Sequence, residues 1–254
     1  MSSTLQNLAA NGQSLTAAQF VENAGLWEAT ARDGRPRVVA AMIGSADGRA
    51  TVGGGAGGLG SPADRAVLRE LRAAADALLV GPGTLIAERY ATLLDDDQAQ
   101  RRIDRGRSPE PLMATISRSL DARLADVPLF AEQGLQGRVF TESAGAQISA
   151  AAQVRIERFA PGTLSTRACL ESLAREGVRL VVSEGGPTLL RELVADGLVD
   201  DLILTLAPLL VAGEGRSVLH GGVLDPPARM QLRDVMRAGD HLFLHYAVEP
   251  RENG

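Results

Sequence analysis

Residues 178–195 read VRLVVSEGGPTLLRELVA, and this stretch decides the fold. The apolar run 178–182 predicts a strand buried on both faces. Pro187 is well placed to begin a helix over 187–195, and Gly197 is well placed to end it. A strand, a glycine-rich turn and a helix in this order are typical of a parallel α/β sheet. Backbone N–H groups of such a turn can hold a phosphate.

The same alternation continues in both directions from this stretch. Ser61 and Pro62 predict a helix start, and residues 166–176 predict another helix. No repeat or change of composition interrupts the pattern. We therefore expect one α/β domain with a mainly parallel sheet over residues 35–254. The further predicted strands are 38–43, 77–80, 112–116, 138–141, 201–206 and 241–248.

Two segments stand apart from this pattern. Residues 1–34 are predicted to be an N-terminal appendage, in which Thr16 caps a short helix through Trp27. Residues 95–110 are polar, charged and without a helix cap, so we expect a mobile excursion. The acidic run at 95–97 lacks the spaced ligands and the glycine of a calcium loop, which favours a solvated loop over a metal site.

Composition excludes several classes of protein. The 254 residues carry a net charge of −5 and only 3% aromatic side chains, which argues against nucleic acid as a partner. The single cysteine, Cys169, excludes an intramolecular disulfide and a multi-cysteine zinc site, and it is expected to be buried. We find neither an apolar run of membrane-spanning length nor a signal-peptide pattern, so we expect a cytoplasmic protein.

Three glycine-rich loops follow predicted strands, after Ile43, Val80 and Val182. Ligands of parallel sheets bind at the carboxyl ends of the strands, so three such loops favour a nucleotide site. Asp47 and Glu184 are the candidate proton donors, although Asp47 precedes a glycine and could equally form a turn. No further ligand stands at a spacing that would complete a metal site with the histidines, so no metal site is expected.

Ser117 and Arg118 follow the predicted strand 112–116. A hydroxyl and a guanidinium at that position could bind the 2′-phosphate that distinguishes NADP(H) from NAD(H). A surface turn explains the same residues equally well.

Six short segments, in one order, resemble the reductase domain of the riboflavin-biosynthesis deaminase–reductases. The resemblance implies the dihydrofolate-reductase-like fold of that family, a three-layer α/β/α arrangement with a mainly parallel central sheet, and it implies a homodimer. It also implies NADPH-dependent reduction of 5-amino-6-(5-phosphoribosylamino)uracil by hydride transfer to the ribosyl carbon. The matching segments are RP at 35–36, SADG at 45–48, LRAAADA at 71–77, VGPGT at 80–84, SEGGPTLL at 183–190 and GLVDD at 197–201.

Carried over by position, the resemblance gives each matching residue a role. Asp47 and Glu184 become the catalytic candidates, and Glu184 also faces the substrate together with Arg72 and Glu88. The residues implied to contact NADPH are Thr84, Gly185, Gly186, Pro187, Thr188, Leu189 and Leu190, with Ser117 and Arg118 near its 2′-phosphate.

The chain also departs from the family pattern. Ala41 stands where the family commonly has a lysine, and residues 88–94, ERYATLL, replace a segment that helps to hold the substrate. The deaminase motif is absent, which predicts a standalone reductase. Two alternatives therefore stay open: a paralogous NADPH reductase with another substrate, such as a pterin or dihydrofolate, and an NADP-binding protein without catalysis.

Overall fold

The computed structural model describes residues 4–8, 13–53, 55–132, 134–145, 147–148 and 152–251. Within these residues, eleven strands form one sheet in the order β2-β1-β10-β11-β9-β3-β8-β4-β5-β6-β7. Neighbours from β9 to β7 are parallel, and neighbours from β2 to β9 are antiparallel. The mainly parallel sheet is confirmed. The strands are β1 (Leu5–Asn7), β2 (Ser14–Leu15), β3 (Arg37–Ser45), β4 (Ala77–Leu79), β5 (Leu112–Ile116), β6 (Gln136–Thr141), β7 (Gln153–Arg158), β8 (Leu180–Ser183), β9 (Asp201–Ala207), β10 (Met230–Ala238) and β11 (His241–Val248).

Helices cover both faces of this sheet. Side chains alternate between the faces along each strand, so Val39 and Val182 pack with Val67 and Leu71 of α2 on one face, whereas Val181 packs with α5 and α6 on the other. The three-layer α/β/α arrangement is thereby confirmed. The helices are α1 (Ala17–Asn23), α2 (Pro62–Ala74), α3 (Pro82–Ala87), α4 (Asp96–Asp104), α5 (Thr166–Arg175) and α6 (Pro187–Ala195), and two short 3-10 helices span Ala122–Asp126 and Pro128–Ala131.

The predicted start of α2 is confirmed by its cap. Ser61 Oγ accepts a hydrogen bond from Asp64 N at 3.1 Å, and Pro62 occupies the first turn of α2. Four strands were missed. β1 and β2 are only three and two residues long and lie within the predicted N-terminal appendage. The other two are β7 and β10. Both are rich in charged and exposed residues, so neither shows the apolar run by which the other parallel strands were predicted.

The expectation for residues 95–110 is wrong about the cap. Asp95 caps α4: its carboxylate accepts from Gln98 N at 2.9 Å, and the Gln98 side chain accepts from Asp95 N in return. The acidic run is the cap and first turn of a helix rather than a solvated loop, because carboxylates are favoured at helix N-termini. Arg102, only 2% exposed, donates to the carbonyls of Ala73 at 2.8 Å and Ala75 at 2.5 Å, which anchors α4 to the end of α2.

The described part of residues 1–34 joins the main structure. β1 pairs with β10 at the sheet edge, and α1 contributes Phe20 and Val21 to the core shared with α2. Thr16 caps α1 as predicted, although this helix ends at Asn23. Residues 1–3 and 9–12 lie outside the described residues, and the boundary at residue 34 stays a prediction.

Two further findings concern the described ranges only. None of their helices has both the length and the apolar character needed to cross a membrane. They also contain no group of three or more His, Cys, Asp or Glu side chains placed to hold a metal ion. Cys169 is buried, as expected, and burial raises the pKa of its thiol to about 12.

Candidate functional site

The turns that follow β4 and β8 contact each other at the carboxyl edge of the sheet. Gly81 N donates to Gly185 O at 2.6 Å. A Cβ atom on Gly186 would lie 2.6 Å from Thr84 Oγ1, closer than real Cβ atoms approach a heavy atom. Only glycine fits at Gly186 without a shift of Thr84. The adjacency of β3, β8 and β4 thus brings the three glycine-rich loops to one edge, as the sequence predicts.

Two cavities open beside these turns and share part of one wall. The first has a volume of about 420 Å³ and the second about 250 Å³. Thr84, Gly186 and Pro187 line both. Ligands bound in the two cavities would therefore meet at the start of α6.

A buried ion pair forms one wall of the first cavity. Arg72 Nε and Nη2 donate to the two carboxylate oxygens of Glu184 at 2.7 and 2.8 Å. Tyr90 Oη donates to Glu184 Oε2 at 2.5 Å, and the Arg72 guanidinium lies 5.2 Å from the centre of the Tyr90 ring. Both ion-pair partners are mostly buried, with side-chain exposures of 14% for Arg72 and 4% for Glu184. We call these three residues the Glu184 cluster.

Charges inside the Glu184 cluster stabilise one another. Burial lowers the pKa of Arg72, but the Glu184 carboxylate more than compensates, and the pKa is raised overall. Burial, followed by the negative charge of Glu184, raises the pKa of Tyr90 well above 10. At neutral pH Arg72 is therefore a cation and Tyr90 a neutral phenol.

Other polar groups surround the rest of the first cavity. Arg65 and Arg89 line it and are exposed, so it carries two cations outside the Glu184 cluster. Glu88 also lines it, and its carboxylate accepts from Ala56 N at 2.9 Å. Asp64 lies on the same wall, and burial raises the pKa of its carboxyl group despite a hydrogen bond with Thr205.

Five residues predicted to contact the cofactor line the second cavity besides Gly186: Thr84, Arg118, Pro187, Thr188 and Leu189. Arg118 Nη1 donates to Leu164 O at 3.0 Å and lies 3.5 Å from Glu142.

Three predicted cofactor residues do not line the second cavity. Ser117 is buried, and its hydroxyl accepts from Asp121 N at 2.9 Å. Leu190 lies in the core beneath α6. Gly185 lines neither cavity; its φ is 73°, and a Cβ atom there would lie 2.8 Å from Met42 Sδ.

Asp47 lies apart from the other predicted site residues and lines neither cavity. Its carboxylate accepts from Ser45 Oγ at 2.5 Å, from Val211 N at 3.0 Å and from Ala212 N at 2.7 Å. These hydrogen bonds, that of Ser45 first, lower its pKa to about 2. A carboxyl group with this pKa is ionised at neutral pH, which argues against a role as general acid.

Sequence reasoning missed Tyr90 and Arg216 as site residues. Tyr90 lies in the 88–94 segment that was interpreted as a departure from the family pattern, and it is one of only two tyrosines in the chain. Aromatic residues are rare in this protein, and that rarity was the one sequence feature that could have indicated a role for Tyr90. Arg216 lines the second cavity from a long loop and carries no motif that would have revealed it.

Comparison with known proteins supplies a family context. The family model described as the RibD C-terminal domain matches residues 36–244. A curated relative from Methanothermobacter thermautotrophicus, named 2,5-diamino-6-ribosylamino-4(3H)-pyrimidinone 5′-phosphate reductase, is 26% identical over 224 residues, which are 85% of this chain and 99% of that protein. The riboflavin biosynthesis protein RibD of Mycobacterium tuberculosis is 30% identical over 86% of this chain, and the match spans 56% of its own length.

Solved structures show the same fold. A pyrimidine reductase-like protein from Corynebacterium diphtheriae superposes with a TM-score of 0.77 at 24% identity, over 93% of this chain and 100% of that one. The riboflavin biosynthesis reductase Rib7 of Saccharomyces cerevisiae superposes with a TM-score of 0.64 at 21% identity, over 91% of this chain and 98% of that one.

Proposed function

Because the chain belongs to the RibD C-terminal domain family, we propose that it is an NADPH-dependent reductase of a 6-ribosylaminopyrimidine 5′-phosphate in riboflavin biosynthesis. Full-length coverage of the archaeal reductase supports this activity. The sequence resemblance points to the uracil form of the substrate, whereas the archaeal relative is named for the 2,5-diamino form. The two differ in the group at ring carbon 2, and both are candidate substrates here.

One observation carries the proposal: two cavities of unequal size meet at Thr84, Gly186 and Pro187. Hydride transfer needs two ligands whose reacting carbons face each other at close range. A shared wall at the end of a parallel sheet provides such a meeting point.

We assign the second cavity to the phosphate-bearing part of the dinucleotide. The absence of side chains at Gly81 and Gly186 lets the two turns approach closely and leaves backbone groups open to a ligand. Pro187 begins α6 beside them, and the positive end of a helix favours a phosphate. NADPH, when bound, supplies the hydride. Thr84, Thr188, Leu189 and Arg118, which line this cavity, would hold the cofactor.

The first cavity fits a phosphorylated, polar substrate. Arg65 and Arg89 are its cations outside the Glu184 cluster, and we assign them to the 5′-phosphate. The Glu184 cluster forms a rigid polar wall against which the ribosylamine lies, and Glu88 adds an acceptor nearby. In the reaction a hydride adds to the ribosyl carbon of the open imine and a proton to its nitrogen, which leaves a ribityl C–N single bond.

Steady-state assays with both pyrimidine substrates test this proposal. We expect loss of NADPH absorbance with at least one of them, a product carrying a ribityl chain, and weaker turnover with NADH. Glu184→Gln should lower the turnover strongly, whereas Glu171→Gln, on the exposed surface of α5, serves as the matched control. NADPH consumption no faster than without protein, for both substrates, would refute the proposal. Reduction of dihydrofolate alone would favour the paralogue.

Assembly and compartment are further parts of the proposal. We expect a homodimer, as in the family, and a cytoplasmic location. Light scattering of the purified protein gives the mass in solution, and a mass of one chain of 26.6 kDa would contradict the dimer.

A further inference from the structure

The chain between β9 and β10, residues 208–229, is a long loop attached to the rest of the protein at two places. On one side Val218 N donates to Gly48 O at 3.1 Å. On the other side His220 N donates to Pro187 O at 3.2 Å, at the start of α6. The 208–229 segment therefore bridges the turn after β3 and the wall that the two cavities share.

Asp47 attaches this segment to the turn after β3 through its side chain. Both of its carboxylate oxygens accept from backbone N–H groups of the segment, those of Val211 and Ala212. Ala212 has a φ of 57°, a left-handed conformation that is unfavourable for a residue with a Cβ atom. Charge-assisted hydrogen bonds that the Asp47 carboxylate accepts hold this conformation in place.

Arg216 lies on the same segment, four residues beyond Ala212, and lines the second cavity. Its carbonyl accepts from Ala50 N at 2.8 Å, so the backbone at Arg216 is fixed to the turn after β3. Among the described residues its guanidinium has no ion-pair partner, whereas the Arg118 guanidinium is already bonded to Leu164 O. Arg216 is thus the more available cation of the second cavity.

We propose that Asp47 is a positioning residue that acts through Arg216. By holding the 208–229 segment on the turn after β3, Asp47 keeps the Arg216 guanidinium in the second cavity, where it binds a phosphate group of the dinucleotide. This inference rests on the proposed function, since it needs a dinucleotide in that cavity. It replaces the proton-donor role predicted for Asp47 with a role in cofactor affinity.

A double-mutant cycle with NADPH as the titrant tests the inference. The purified full-length variants are Arg216→Ala, Asp47→Asn and the pair together, and the readout is the NADPH dissociation constant from nicotinamide fluorescence. We expect Arg216→Ala to weaken binding about tenfold, as for one charge-assisted hydrogen bond. Asp47→Asn should weaken it about fivefold alone and less than twofold in the Arg216→Ala background, because the guanidinium it positions is then gone.

Three further measurements separate positioning from a general structural effect. Arg216→Lys should recover part of the affinity. Turnover at saturating NADPH should stay within about twofold of the wild-type value for Asp47→Asn. Glu214→Gln, an exposed carboxylate of the same segment, is the matched control and should bind NADPH as the wild type does. If Asp47→Asn does not fold, Ser45→Ala removes one hydrogen bond from Asp47 and should show a smaller loss that also disappears in the Arg216→Ala background.

The outcomes distinguish this inference from the proposed function. Losses that multiply in the double variant, or a lower turnover with unchanged NADPH affinity, would overturn the positioning role. Wild-type affinity in Arg216→Ala would overturn the phosphate contact while the reductase function stands. Absence of NADPH binding to the wild-type protein would instead refute the proposed function. A parallel titration with NADH identifies the phosphate: a loss confined to NADPH indicates the 2′-phosphate, and an equal loss indicates the pyrophosphate.

Discussion

The ends of β3 and β8 carry similar sequences but use their carboxylates differently. Ser45-Ala46-Asp47-Gly48 follows one strand and Ser183-Glu184-Gly185-Gly186 the other, and the strands are neighbours in the sheet. Glu184 accepts hydrogen bonds from side chains of distant elements and faces a cavity. Asp47 accepts from backbone N–H groups of a loop and faces no cavity. A carboxylate at the end of a parallel strand is thus a candidate only, and its partners decide its role.

The largest expected difference between the two carboxylates is in stability. Glu184→Ala leaves the Arg72 cation buried and unpaired, which should lower the free energy of unfolding by about 3–5 kcal/mol. Asp47→Ala removes the acceptor of the Ser45 hydroxyl and of two backbone N–H groups but leaves no buried charge unpaired, so its effect should be smaller. Urea denaturation of both variants measures the free energy of unfolding. Equal losses in the two variants would contradict the expectation that Glu184 stabilises the fold more than Asp47 does.

Turnover should separate the two carboxylates next. Glu184→Gln keeps the size of the side chain but removes the charge that aligns Arg72 and Tyr90, and a misplaced wall should lower kcat by about a hundredfold. Asp47→Asn, measured at saturating NADPH, should retain most of the wild-type kcat. A loss of the same size in both variants would contradict the contrast between a cavity wall and a loop attachment.

The glycines beside Glu184 give a third and smaller test. In Gly186→Ala the new Cβ atom would press on Thr84 Oγ1 at the shared wall, so we expect NADPH binding about tenfold weaker. Gly134→Ala is the matched control, because open space surrounds the position where its Cβ atom would stand and Gly134 lines neither cavity. In a Thr84→Ala background the clash is absent, so adding Gly186→Ala should not weaken NADPH binding further. A second tenfold loss in that background would show that the contact of Gly186 with Thr84 is not the cause.

The smallest expected effect concerns pH. Hydrogen bonds lower the pKa of Asp47 from 3.8 to about 2, so its stabilising contribution is complete above pH 4 and is lost only as the pH falls towards 2. Near neutrality roughly one molecule in 10⁵ carries the proton. The pH profile of kcat/KM between pH 5 and 9 should therefore have the same shape in Asp47→Asn as in the wild type. Loss of one limb of the profile in that variant would restore Asp47 as the general acid.

Much of the fold is predictable from sequence because its central strands are continuous apolar runs. β5, β11 and α6 begin and end where predicted. β7 and β10 could not be predicted in this way, since a strand with exposed charged residues resembles a loop. α4 was missed for a related reason. Its helix cap is an aspartate within an acidic run, and an acidic run is equally typical of a solvated loop.

The candidate site was predictable only where it depends on local sequence. The glycine-rich turns were recognisable because backbone conformation and helix starts are properties of a few consecutive residues. The partners of Glu184 were not, since Arg72 and Tyr90 precede it by 112 and 94 residues and meet it only through packing of the folded chain. The sequence correctly placed Asp47 just after the strand β3. Its backbone hydrogen-bond partners could not be predicted, because they belong to a loop whose path the sequence does not specify.

α4 has a consequence for engineering the protein. Arg102 donates to the carbonyls of Ala73 and Ala75, and Arg107 donates to the carbonyl of Ala74 between them. The segment 95–108 therefore stabilises the C-terminal end of α2, the helix that carries Arg65 and Arg72. An attempt to shorten the chain would begin with residues 95–108, because their polar sequence is typical of an insertion that the fold does not need. That deletion would remove the hydrogen bonds at the C-terminal end of α2, and α2 carries both arginines that are proposed to face the substrate.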